Sequence, residues 1–167
     1  IEPKSLPADD PLLAAHPEWK GARGWGNDYA FCTASESARQ YLRESLADIF
    51  ANVPNLGGLI NISHGERITN CLSALPAVSD AEIKCPRCSK IPKWKVYEDA
   101  AQAMVEGIQK SAPKAQLITW LYQPQQTPER AQWAFEIARH VPKGAILQYN
   151  FESGTLARQL GRWRCGG

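Results

Sequence analysis

The hydrophobic and polar positions alternate between two periods along the chain. Asp28 to Cys32 ("DYAFC") has the aromatic and apolar content of a short strand. Thr33 with Glu36 three residues on predicts a capping box. Ala38, Tyr41, Leu42, Leu46, Ile49, Phe50 and Val53 then fall on one helical face, ended by Pro54. "GGLINIS", Gly57 to Ser63, predicts a second strand, and a polar, irregular stretch follows over 64–95. From about Val96, the residues Tyr97, Ala101, Met104, Val105 and Ile108 predict a second helix stopping near Pro113. "AQLITWLYQ", Ala115 to Gln123, is β-branched and aromatic, as a third strand should be. Thr127 and Pro128 suit an N-cap and first helical residue. The helix they open places Ala131, Ala134, Phe135 and Ala138 on one face. "AILQYNF", Ala145 to Phe151, predicts a fourth strand, and "SGTLARQLGRW" a last short helix.

Strands alternating with helices predict an α/β fold of parallel βα repeats with right-handed crossovers. A closed eight-unit barrel takes about 250 residues, and this chain of 167 residues holds about four units. The expectation is a single α/β domain over 1–167, either roughly half of a TIM barrel or a small open sheet. Residues 1–27, rich in Pro, Gly and Asp, are expected to form an extended arm. Open outer strands tend to be covered, so homo-oligomer formation through the sheet edges is expected.

Composition narrows the function. A net charge of +2 gives no reason to expect nucleic acid or a membrane surface as partner. The apolar runs fall short of the roughly 20 residues a membrane span needs. No signal-peptide pattern is visible, and Ile1 stands where a Met would begin a chain. Ile1 is therefore expected to be either a processed start or the edge of a longer chain.

In parallel α/β folds, ligands bind beyond the carboxyl ends of the strands. That rule selects His64, Glu66 and Arg67 after the second strand, Trp120 and Tyr122 on the third, and Tyr149, Asn150 and Glu152 at the fourth. Glycoside cleavage usually needs two carboxylates facing each other across a sugar. Glu66 is the candidate general acid and Glu152 the candidate second carboxylate. Their plain alternatives are a salt bridge beside Arg67 and favourable placement at a helix N-terminus. Trp120, Tyr122 and Tyr149 offer faces on which sugar rings stack. His64 either bonds a substrate hydroxyl or is structural.

"CPRC", Cys85 to Cys88, is the most specific local signal. Two thiolates separated by two residues form one arm of a tetrahedral zinc site. Cys71, in the same long loop, and Cys32, at the end of the first strand, would complete a closed structural site. It would also pin an irregular loop of about 30 residues. The rivals are a disulfide, such as Cys71 with one of the CPRC pair, and free thiols. Cys165 stands apart and is not expected to be a ligand.

The runs "HPEWKG", "AFCTASESARQYL", "PNLGGLINISHGERITNC", "CPRC" and "LITWLYQP" resemble the middle of a bacterial TIM-barrel family related to glycoside hydrolases, loosely of the β-N-acetylhexosaminidase type. The resemblance implies strands three to six of a barrel, with Glu66 at the acidic position ending the fourth. That family's adjacent Asp-Glu pair is not matched, since Gly65 precedes Glu66. The expected function is a glycoside hydrolase-like domain acting on carbohydrate. The alternative is a non-catalytic carbohydrate-binding or assembly module. A third class is a metal-dependent enzyme whose Cys and His ligands leave an open position.

Overall fold

The computed structural model describes residues 5–24, 26–65, 68–75, 80–122 and 132–149, and the backbone of 156–159 and 162–165. Two sheets and four α-helices account for most of them.

The first sheet is antiparallel. Its strands are β1 (Leu6–Pro7), β2 (Lys20–Arg23) and β3 (Asp28–Phe31), in the order β1-β3-β2. Between β1 and β2 lies the short helix α1 (Pro11–Ala15), whose N-cap Asp10 accepts the Leu12 N–H at 2.8 Å. A single 3-10 turn, Pro17–Trp19, follows and buries the indole of Trp19. Residues 5–24 are thus folded structure rather than an arm. Their strands are two and four residues long, too short for alternation to reveal in sequence.

α2 (Glu36–Asn52) leaves β3 and buries Ala38, Leu42, Leu46, Ala47 and Phe50. Its N-cap is Ser35, and Thr33 is drawn instead into the core, where its hydroxyl donates to the Val96 carbonyl at 3.5 Å. Glu36 accepts from Arg39 and Arg43 rather than closing a capping box. α2 packs along α3 (Lys93–Ser111), which begins three residues earlier than its apolar stripe. The backbones approach closely at Gly107, where an added Cβ would lie 2.6 Å from the Arg43 carbonyl oxygen. Arg43 also clasps the pair, bonding Glu36 at 2.7 Å and Glu106 at 2.6 Å.

The second sheet is parallel, in the order β4 (Gly58–His64), β5 (Gln116–Leu121), β6 (Ala145–Tyr149). α3 crosses from β4 to β5, and α4 (Gln132–Glu136) precedes β6 and packs against α3. Leu117, Thr119 and Leu121 face the helices, with the Thr119 hydroxyl 2.6 Å from that of Tyr97 on α3. Ile60, Ile118 and Ile146 form one row on the opposite face, and Ile62, Trp120 and Gln148 the next. Ile60, Ile62 and Ile146 are 58%, 43% and 44% exposed there.

This architecture corrects two expectations. The chain is mixed α/β, with one antiparallel and one parallel three-stranded sheet, and the described residues form no TIM barrel. The segment expected as the first parallel strand, Asp28–Phe31, pairs antiparallel with β1 and β2 instead. The barrel pattern needs every strand to run one way in one sheet, and here only three of the four expected strands do so. The expected last helix is also replaced. β7 (Leu156–Gln159) and β8 (Arg162–Cys165) form a two-stranded antiparallel sheet. The expected start of the preceding helix, Thr127 and Pro128, lies outside the described residues.

Candidate functional site

Four cysteines converge where the antiparallel sheet meets the irregular segment. Cys32 follows β3, and its N–H donates to the Trp19 carbonyl at 2.8 Å. Cys71 follows Asn70, which pairs with Phe31 in an isolated parallel bridge. Asn70 shapes that turn: its Oδ1 accepts the N–H groups of Leu72 and Ser73 at 2.9 and 3.1 Å. Cys85 and Cys88 sit on a tight turn leading into a 3-10 turn, Cys88–Lys90, with the Ser89 N–H donating to the Cys85 carbonyl at 3.0 Å.

All four are buried free thiols. Their sulfurs lie within 4.8 Å of one another. Cys32 Sγ is 3.7 Å from both Cys85 Sγ and Cys88 Sγ. The expected alternative of a disulfide between Cys71 and the CPRC pair is therefore not formed. The cluster could hold a metal ion, and these are the four cysteines that the CPRC spacing and the long loop selected.

Sequence reasoning missed the groups around the sulfurs. The Ala22 N–H donates to Cys71 Sγ at 3.2 Å. Arg87 Nε donates to Cys32 Sγ at 3.3 Å, while its Nη2 donates to the Lys20 carbonyl at 2.6 Å. At Gly21 a Cβ would stand 2.5 Å from both Cys71 Sγ and the Ala30 carbonyl oxygen. Only glycine lets β2 pass this close to the cluster. The Cys32 thiol is held down, first by its hydrogen bond with Cys71, opposed by Cys85 and by burial and aided by Cys88 and Arg87. The Cys71 thiol is pushed up, chiefly by the Cys32 sulfur beside it. Neighbouring thiolates repel one another, and a divalent cation among them removes that repulsion.

The expected rim residues that are described, His64, Trp120, Tyr122 and Tyr149, do not gather in one place. A β-bulge at the end of β4 sets His64 opposite Leu121 and so on the helix side of the sheet. There it is 1% exposed, with its ring 5.4 Å from that of Trp133 on α4. Among the described residues, neither ring nitrogen has a hydrogen-bond partner of good geometry. Burial pulls its pKa down to about 4, with the Leu75 backbone opposing slightly, so the ring is neutral at pH 7.

Trp120 and Tyr122 lie on the open side, ring edge to ring face at 5.0 Å, and both are partly exposed. Tyr149 pairs with Leu121 and faces the helices, 6.3 Å from Phe135. Burial pushes its hydroxyl up to about 12. The three aromatic residues expected to stack one sugar are therefore divided between the two faces. Glu66, Arg67, Asn150 and Glu152 lie outside the described residues.

Clefts are present among the described residues. One, of about 510 Å³, lies at the amino ends of β4 and β5 among Phe50, Pro54, Leu56, Ser111 and Lys114. It is on the far side of the sheet from the strand ends where ligands bind in parallel folds. Another, of about 210 Å³, is bounded by Ile83, Cys88 and Pro92 beside the cysteine cluster. No helix is long and apolar enough to cross a membrane among the described residues. No protein-family model, curated protein or solved structure matches the chain.

Proposed function

We propose that this chain is a zinc-anchored α/β domain, with Cys32, Cys71, Cys85 and Cys88 holding one structural Zn²⁺. The sulfur spacing carries the reading. Zinc bound by thiolates at about 2.3 Å in a tetrahedron requires sulfurs about 3.8 Å apart. The two separations from Cys32, each 3.7 Å, match that edge. A disulfide would need about 2.05 Å. Four thiolates fill the tetrahedron and leave no position for water or substrate, so the metal would hold structure rather than perform chemistry. Closed coordination also argues against a metal-dependent enzyme with an open site.

Elemental analysis of the purified chain tests this. About one zinc per chain is expected, lost in Cys85→Ser and Cys88→Ser. A metal-free wild-type chain would remove the site, and iron in place of zinc would overturn the metal's identity.

A second reading concerns carbohydrate. The partly exposed Trp120–Tyr122 pair at the end of β5 favours it, since such rings present apolar faces to sugars. In its catalytic form Glu66 is the general acid, assisted by Glu152. In its non-catalytic form the domain only binds. Turnover of aryl glycosides, abolished in Glu66→Gln, supports the enzyme. Sugar binding lost in Trp120→Ala without turnover supports the binding module. An unchanged rate in Glu66→Gln removes the catalytic assignment. β4 and β6 are the outer strands of the parallel sheet, and self-association through them is the matching assembly reading. Light scattering that shows a monomer would remove it.

A further inference from the structure

Arg87, between the two cysteines of "CPRC", is placed to act on a third cysteine of the cluster. Arg87 follows Cys85 by two residues and precedes Cys88. Its guanidinium reaches Cys32, a residue 55 positions earlier in the chain. Nε donates to the Cys32 sulfur at 3.3 Å, and Nη2 donates to the Lys20 carbonyl on β2 at 2.6 Å. One planar side chain thus ties the cysteine loop to the end of β3 and to β2. Lysine, with a single point of charge, cannot make both bonds in that fixed fork geometry.

The charge balance gives the contact its purpose. Four thiolates around one divalent cation leave a net charge of −2 in a buried place. Buried charge is tolerated only when it is paired and hydrogen-bonded. Among the described residues, the Ala22 N–H donates to Cys71 and Arg87 to Cys32. Of these two donors, Arg87 also brings a positive charge.

We propose that Arg87 is a positioning residue of the metal centre, orienting the Cys32 thiolate and offsetting the charge of the loaded cluster. This rests on the zinc reading above. Groups of this outer kind typically change metal affinity by about 10–100-fold when removed. The experiment uses the full chain with Arg87→Ala and Arg87→Lys. Zinc affinity is measured by competition with a chromophoric chelator, and circular dichroism confirms that each variant folds.

Arg87→Ala should bind zinc about 10–100-fold more weakly. Arg87→Lys should fall between it and the wild type. Cobalt substitution supplies a readout that a packing role would not move. Loss of the N–H donor makes the Cys32 thiolate more electron-rich, so the sulfur-to-cobalt charge-transfer band should shift to lower energy in Arg87→Ala. Wild-type zinc affinity with an unshifted band in Arg87→Ala would overturn the proposal. If Arg87→Ala does not fold, Arg87→Lys decides, and wild-type affinity there overturns the proposal equally. A wild-type chain that binds no metal fails the zinc reading beneath it, which separates the two failures.

Discussion

Withdrawing the metal should cost the fold a calculable amount of stability. The cluster joins positions far apart in sequence, Cys85 lying 53 positions after Cys32. A cross-link closing a loop of that length lowers the entropy of the unfolded chain by an amount equivalent to about 4 kcal/mol at 25 °C. Cys71 divides the loop and adds a further constraint, so this is the contribution of one link among several. For a chain of this size, 1 kcal/mol moves the melting temperature by about 2–4 °C. Removing the metal with a chelator should then lower it by at least about 8 °C.

Mass action adds a second signature. Above saturation, stability should rise by about 1.4 kcal/mol for each tenfold increase in free zinc. The assay is differential scanning calorimetry at several fixed free-zinc concentrations, with thiols kept reduced. Cys88→Ser should melt near the chelated wild type and show no zinc dependence. Cys165→Ser, outside the expected ligand set, should behave as wild type. A melting temperature that ignores both chelator and zinc, in a chain from which the metal has demonstrably gone, would refute the anchoring role.

Two further perturbations test the packing around the site. His64 stays neutral in the fold down to about pH 4 because burial disfavours its charge, whereas in the unfolded chain it takes a proton near pH 6.5. The unfolded state therefore binds more protons between those values, and stability falls as pH drops from about 6.5 to 4, by about 3 kcal/mol in all. Urea unfolding at pH 7, 5.5 and 4 should show this fall in the wild type and a smaller one in His64→Gln; equal falls would contradict it. At the α2–α3 contact, Gly107→Ala would push a methyl group to within 2.6 Å of the Arg43 carbonyl oxygen and 2.9 Å of its Cα. Separating two packed backbones costs about 1–3 kcal/mol, of which alanine's better helix propensity returns up to about 1. A lowered thermal midpoint is expected, and an unchanged or raised one would show that the helices have room to part.

The cysteine cluster was legible in the sequence for a physical reason. Paired cysteines two residues apart are uncommon outside metal and redox sites, and an irregular loop needs something to hold it. The spacing pointed to Cys85 and Cys88, the loop added Cys71, and Cys32 was added because it ends the first strand. Arg87 and Gly21 carried no comparable signal, because their roles depend on which distant backbone passes beside them. The helices α2 and α3 were legible from their stripes, within a few residues at each end. Strand direction was not. "DYAF" is four residues long, and a run that short reads alike in a parallel and an antiparallel sheet. Its partners are a dipeptide and a strand whose register shifts between Lys20 and Arg23, and neither shows alternation. The strands "LARQ" and "RWRC" contain no β-branched residue, so propensity pointed away from the sheet they form. The face of Trp120 was left open by alternation alone, and the Thr119–Tyr97 hydrogen bond fixes it. The turn of His64 toward the helices depends on one bulge that no residue type announces.

The corrected topology strengthens the case for the metal. In a half-barrel, β3 would be bound to the parallel sheet along its whole length, and a pinned loop would be an ornament. Here β3 belongs to a different sheet, and the parallel sheet begins only after α2. Cys32 stands between β3 and α2, while Cys85 and Cys88 stand just before α3. A metal bound to all four sulfurs therefore fixes the entry of α2 relative to the entry of α3. Arg43 and the close approach at Gly107 hold the same pair along their lengths. α3 in turn supplies Tyr97 to Thr119 on the central parallel strand. A metal held there would act on the orientation of the parallel sheet through the helix pair. Loss of zinc should loosen the antiparallel sheet first and the β4-β5-β6 sheet after it. Hydrogen exchange can read that order: on chelation, amides of β2 and β3 should lose protection before those of β5, and simultaneous loss would argue against transmission through the helices.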